Sequence, residues 1–249
     1  MKRLLALILM AIMCLSVTAC NEAEEPRKAK RDKAQVEPEI EDTVYEPEIY
    51  EDVTLYREAD GGLFGFVDEN ENWVIEPQYP AAWEFSEGLA AVCSDNKWGY
   101  INSKGEFVID KQFDDADPFK NGLAKVLVSD KYGFIDKSGD YAIGLNFNYA
   151  DDFSEGLAAV KVDDKWGYID TTGEIVIELQ FMDAEKFSEG LAAVQIDGKT
   201  GYIDQSGEFV IEPQYDWGWD FSDGRAKVVA EGGEDLYIDK EGNVLGSVY

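Results

Sequence analysis

Asp163–Asp170 reads DDKWGYID, and near-copies surround it: SDNKWGYIN ends at Asn102, SDKYGFID at Asp136 and IDGKTGYID at Asp204. Such a stretch is either a reaction centre present several times or a building block, and its spacing decides between them. Gly65, Gly99, Gly133, Gly167 and Gly201 stand 34 residues apart, as do Gly88, Gly122, Gly156, Gly190 and Gly224. A third series, Gly105, Gly139, Gly173 and Gly207, keeps the same step and reaches Gly242 after one inserted residue. Three markers in one register define a tandem repeat. Its units begin at Leu55, Leu89, Leu123, Leu157, Leu191 and Arg225, and the last stops at Tyr249.

The fourth unit shows what one copy builds. Leu157–Val162 is short and rich in small and β-branched residues, as a packed strand is, and Asp163-Asp164 breaks it. KWGYID is a second strand whose glycine marks a bulge or the close approach of another backbone, here read as a neighbouring unit pressing in. DTTG, with siblings NSKG, DKSG, DQSG and DKEG, fits a type I turn with glycine in a G1 bulge. EIVIEL is the third strand, and QFMDAEKFSEG is a polar return with Phe181 and Phe187 as core anchors.

Six such three-stranded units cannot each bury a face alone, so stacking on neighbours must create the core. The expected fold is all-β, with 34-residue repeats stacked as an open β superhelix. The alternative is a closed propeller-like ring that hides its edges. The short repeat favours the open form.

The sequence resembles the WG-repeat family of bacterial proteins. The defining pair is Trp98-Gly99 and Trp166-Gly167, with Tyr132-Gly133, Phe64-Gly65 and Thr200-Gly201 as departures and Leu236 in place of the last glycine. FSEGLA occurs at Phe85, Phe153 and Phe187, with FKNGLA and FSDGRA as variants. The resemblance covers Leu55 to Tyr249 and implies an all-β module found in surface and secreted proteins. It brings no catalytic residues.

At the N-terminus, Lys2 and Arg3 precede an apolar run from Leu4 to Leu15, too short to span a bilayer comfortably, and VTAC follows. LSVTAC resembles the lipobox of bacterial lipoproteins, which implies a signal peptide over 1–19 and a diacylglyceryl group on Cys20; an ordinary cleaved secretory signal is the alternative. With Cys14 removed and Cys20 lipidated, Cys93 is the remaining thiol, read as a small buried hydrophobe within LAAVC. Residues 20–51 then form an acidic, proline-bearing stalk, and 52–249 the repeats. The expected location is the extracytoplasmic face of a cell membrane.

Composition narrows function further. With 52 acidic against 22 basic residues the net charge is -30, which repels phosphate backbones and argues against nucleic acid. Histidine is absent, which removes Ser-His-Asp and Cys-His catalysis and His-ligated zinc. Carboxylate pairs for glycoside hydrolysis cannot be singled out among so many acids. No cofactor is called for.

The WG aromatics are read as packing, since tyrosine and phenylalanine replace tryptophan there. Trp217 and Trp219 in YDWGWDF depart from the unit's plan and are the candidate ligand-binding residues; capping the last unit is their competing structural role. The loops FDDADPF and YADDF offer hard oxygen ligands for weak divalent-cation binding. The reading is a noncatalytic, lipid-anchored scaffold for a protein or cell-envelope ligand. The alternatives are a carbohydrate-binding module using the loop tryptophans and an envelope-polymer hydrolase.

Overall fold

The computed structural model describes residues 55–247; Cys20, the signal segment and the stalk lie outside the described residues. β1 (Tyr56–Asp60), β2 (Leu63–Val67) and β3 (Trp73–Tyr79) make a three-stranded antiparallel first sheet. The second sheet has four strands: β4 (Ala81–Ala82), β5 (Ala90–Ser94), β6 (Lys97–Ile101) and β7 (Phe107–Phe113). The third repeats it with β8 (Asp115–Ala116), β9 (Ala124–Val128), β10 (Lys131–Ile135) and β11 (Tyr141–Phe147). The fourth comprises β12 (Tyr149–Ala150), β13 (Leu157–Val162), β14 (Lys165–Asp170) and β15 (Ile175–Phe181). The fifth comprises β16 (Asp183–Ala184), β17 (Ala192–Ile196), β18 (Lys199–Ile203) and β19 (Phe209–Tyr215). The sixth comprises β20 (Trp217–Gly218), β21 (Ala226–Val229), β22 (Asp235–Ile238) and β23 (Val244–Ser247). No helix occurs among the described residues, and no strand of the first sheet pairs with the sixth.

The two-residue strand is an addition to the expected three. It lies in the return segment and pairs with the next long strand, as in Ala150↔Val160 and Ala184↔Val194. Two residues are too few to show a periodic pattern, but each strand ends in a buried Ala82, Ala116, Ala150, Ala184 or Gly218, small enough to lie against the adjoining sheet.

The core is built between sheets. Five buried clusters each draw on two consecutive sheets; one joins Tyr168, Ile177 and Phe181 of the fourth to Ala184, Ala192, Val194 and Ile203 of the fifth. Stacking therefore creates the core, as the unit size requires. The side chain after the WG glycine is among the largest that are fully buried. Tyr100, Tyr168 and Tyr202 are fully buried, pack on Phe119, Phe187 and Phe221 at 4.8–5.0 Å between centroids, and donate their hydroxyls to the carbonyls of Asp117, Glu185 and Trp219.

The WG glycine does admit a backbone, but that of its own sheet. A Cβ at Gly99, Gly133, Gly167 or Gly201 would lie 2.5–2.7 Å from the carbonyl oxygen of Ile109, Ile143, Ile177 or Ile211 on the adjacent outer strand. There the outer strand bulges: Trp166 faces Phe181 while Tyr168 faces Ile177, so two residues span four. The glycine that meets a neighbouring unit is the turn glycine. At Gly139, Gly173 and Gly207 (φ +87°, +86° and +86°) a Cβ would touch Ile109, Ile143 and Ile177 of the preceding sheet at 3.0–3.3 Å. The turn reading itself holds: Asp170 Oδ1 accepts the amides of Thr172 (2.8 Å) and Glu174 (3.1 Å).

FSEG joins successive sheets. Glu87, Glu155 and Glu189 have φ of +53°, +53° and +55° ahead of left-handed glycines, giving tight turns with bonded Ser–Leu bridges. The serine hydroxyls of Ser86, Ser154 and Ser188 donate to the carbonyls of Phe119, Phe187 and Phe221 in the next copy at 2.6–2.7 Å. The carboxylates of Glu87, Glu155 and Glu189 accept the amides of Gly122, Gly190 and Gly224 at 3.0 Å. Lys137 and Lys240 reach back 50 and 51 residues to the carbonyls of Glu87 and Glu189.

Candidate functional site

Trp98 and Trp166 are half-buried and pack against cores shared by two sheets. The repeated residues thus hold the array together, and candidate sites lie where copies differ. Cys93 is also half-buried, facing Trp98 across its hairpin, and so is less enclosed than its apolar setting predicts.

Trp217 and Trp219 flank buried Gly218, so they lie on one side of β20, 40% and 43% exposed. Gly218 is required there: a Cβ would come 2.6 Å from the Tyr202 hydroxyl. The Lys227 ammonium sits 5.0 Å from the Trp219 ring centre and pairs with Asp235 at 2.7 Å. Trp219 is therefore tied into the sixth sheet as well as displayed. Trp83, 42% exposed, occupies the same repeat position and was legible as 219 minus four periods, although it lies outside any WG pair.

Between these tryptophans that position carries Asp117, Asp151 and Glu185. The junction of the third and fourth sheets is the most altered. Lys120 and Asn121 stand where the other copies have serine followed by glutamate or aspartate, so the FSEG links are missing. A cavity of about 150 Å³ opens there, lined by Lys120, Asn121, Leu123, Phe153 and Thr171 among others. Beside it, Lys120, Lys125, Asp151, Asp152, Glu185, Lys186 and Asp220, from adjoining copies, line a second cavity of about 370 Å³. Tyr149 bridges the WG aromatics at this junction, 5.5 Å from Tyr132 and 5.3 Å from Trp166.

The electrostatics of this hollow follow from burial. Desolvation raises the pKa values of Asp117, Asp151, Glu185 and Asp220, and the neighbouring charges of Asp220 and Asp183 push Glu185 further up. Asp117 rises despite its 3.0 Å contact with Lys125, because burial outweighs the ammonium's pull. Burial opposes the charge on Lys125, yet Asp117 and Asp152, at 3.0 and 3.1 Å, keep its pKa above the ordinary lysine value. Asp220 Oδ1 is buried without a hydrogen-bond partner. The hollow is a mixed-charge surface with acids in excess, suited to holding a polar or cationic group.

Asp115, Asp117, Asp151 and Asp152 come from the acidic loops named as candidate cation sites. Among the described residues no group of three or more acidic or cysteine side chains is arranged to hold a metal ion. Cys20 lies outside the described residues.

A search of curated proteins finds no match. Among solved structures the chain is similar to BamB from Moraxella catarrhalis, at 10% identity and a TM-score of 0.48 over 80% of this chain and 74% of that one. Kluyveromyces lactis Hsv2p is similar at 10% identity and a TM-score of 0.47, over 75% and 71%. The computationally designed Ika8 protein matches at 13% and 0.47, over 78% and 71%. The family model for the WG containing repeat matches residues 64–98, 98–132, 132–166, 166–199 and 201–233, the same copies whose motif residues build the inter-sheet cores. The chain belongs to the family of WG containing repeat proteins.

Proposed function

We propose that this chain is a noncatalytic binding scaffold, held by lipid on Cys20 at the extracytoplasmic face of a membrane and engaging a protein or cell-envelope ligand. The observation that carries the binding role is the 370 Å³ hollow, because adjoining copies display there the residues in which they differ. Ion pairs with lysine leave acids in excess, which favours ligands bearing positive charge. The test is capture from envelope extracts on the full-length chain at low salt. A partner retained by the native chain and lost with Asp151→Asn/Glu185→Gln is the expected result; no partner above background would sink the reading. The anchor is tested separately by a diacylglycerol mass on Cys20 and release of the Cys20→Ala protein from membranes.

A second reading is a carbohydrate-binding module, supported by the exposure of Trp217 and Trp219 on one side of β20. Glycan-array binding unchanged in the Trp217→Ala/Trp219→Ala variant would remove it.

A further inference from the structure

The outermost strand of each sheet has a free backbone edge, which proteins protect with charge, proline or bulges. All five seven-residue outer strands carry the bulge opposite the WG glycine, and four of them add charge or proline. β3 carries Glu76 and Pro77, β7 Asp110 and Lys111, β15 Glu178, and β19 Glu212 and Pro213. Glu76, Asp110, Glu178 and Glu212 are exposed and occupy one repeat position. β11, YAIGLNF, has Gly144 at that position and contains neither a charged residue nor proline.

A second feature, which β11 shares with β7, concerns the backbone itself. The side-chain amides of Gln78 and Gln214 fold back on the carbonyls of Glu76 and Glu212 at 3.3 Å, and Lys165 donates to the Gln180 carbonyl at 3.1 Å. Among the described residues no side chain donates to a carbonyl of β11, where Asn146 replaces glutamine, nor to one of β7, which keeps Gln112. Tyr141, Ala142 and Asn146 are exposed, and β11 pairs only with β10.

We infer that the outer edge of β11 accepts an extended segment of another protein as an added antiparallel or parallel strand, and that this segment is basic. Backbone pairing supplies the affinity. The charge follows from the surroundings: Asp110 and Glu178 occupy the corresponding exposed positions of the sheets on either side, and the chain carries -30 overall. The same charge opposes pairing of two β11 edges from two copies. This proposal rests on the binding-scaffold reading and names the kind of partner that it takes.

Gly144→Glu restores the acid of the four sister strands. Gly144 lies outside the left-handed region, and a Cβ would meet only the Asn146 side-chain amide, at 3.2 Å, which can turn away. Gly144→Ala separates added charge from loss of glycine, and thermal unfolding of both variants checks that the fold is kept. The measurement is amide hydrogen exchange of the full chain with three synthetic peptides: KVTVTVTVK, its glutamate counterpart EVTVTVTVE, and KVTVTVTVK methylated on alternate backbone nitrogens. The lysine peptide, at ten times its Kd, should slow exchange over 141–147 about tenfold in the native and Gly144→Ala chains. It should not do so in Gly144→Glu, nor should the other two peptides act on the native chain. No slowing by the lysine peptide at millimolar concentration, equal slowing in Gly144→Glu, or slowing by the methylated form overturns the proposal. A native dimer in sedimentation that Gly144→Glu dissociates also overturns it, since the occupant would be a second copy. If Gly144→Glu captures its envelope partner as well as the native chain while no peptide protects β11, the scaffold reading stands and the edge proposal falls. Peptide protection without any envelope capture leaves the edge intact and removes the scaffold reading.

Discussion

At the scale of single residues, the motif pair divides its work unevenly. The tryptophan is half-buried and has tyrosine, phenylalanine and threonine as substitutes, whereas the glycine faces a carbonyl that leaves no room for a Cβ. Gly167→Ala should therefore cost about 1–3 kcal/mol, read as a lower thermal midpoint, and Trp166→Tyr clearly less. Tyr168→Phe should cost about 1 kcal/mol, because the ring is kept and the hydroxyl bond to the Glu185 carbonyl is lost. Phe66 and Phe134 already hold the ring without that bond. The glycine's need for space was legible in the sequence, but the source of the crowding was not. A bulge arises from pairing between strands, and the spacing along one strand does not record how its partner is offset.

Among elements, the FSEG turn explains why its letters recur. Its partners are the next copies of the same turn, 33–35 residues away, so a sequence shows the contact only as periodicity. Glu155→Ala should destabilise by about 1 kcal/mol by removing the acceptor of the Gly190 amide, with a further loss when Ser154→Ala removes the hydroxyl link. Lys120→Ala has no such link to lose and should change stability little. The three long strands and the Asp-opened turn were readable from β-branched runs and turn residues. The two-residue strands were not, because pairing with the following strand alone defines them.

For the whole molecule, acid titration divides into two opposed sets. Asp170, Asp204 and Asp239 have pKa values lowered chiefly by hydrogen bonds from Thr172, Ser206 and Asn243, so their support is present above the unfolded carboxylate value and is lost as pH falls through the folded one. The buried Asp151, Glu185 and Asp220 are raised, and they hold protons more tightly when folded. Their contribution grows as pH falls from the folded value towards the unfolded one, and is lost as pH rises through the folded value. Replacing all three with Asn, Gln and Asn should raise the thermal midpoint at pH 7, with a gain that shrinks towards pH ~4. A gain that grows on acidification would show that burial does not dominate there. The tandem, stacked architecture was legible from three glycine series; this hollow was not, since only stacking brings positions from separate copies together.

Sheet-to-sheet hydrogen bonds run from each FSEG turn to groups 33–35 residues ahead, and Lys137 and Lys240 bond back over 50 and 51 residues. In a chain emerging from one end, a sheet then waits only for the following copy before its links can close. Order can trail the point of emergence by a constant distance, and an unfinished chain exposes one unmatched sheet at a time.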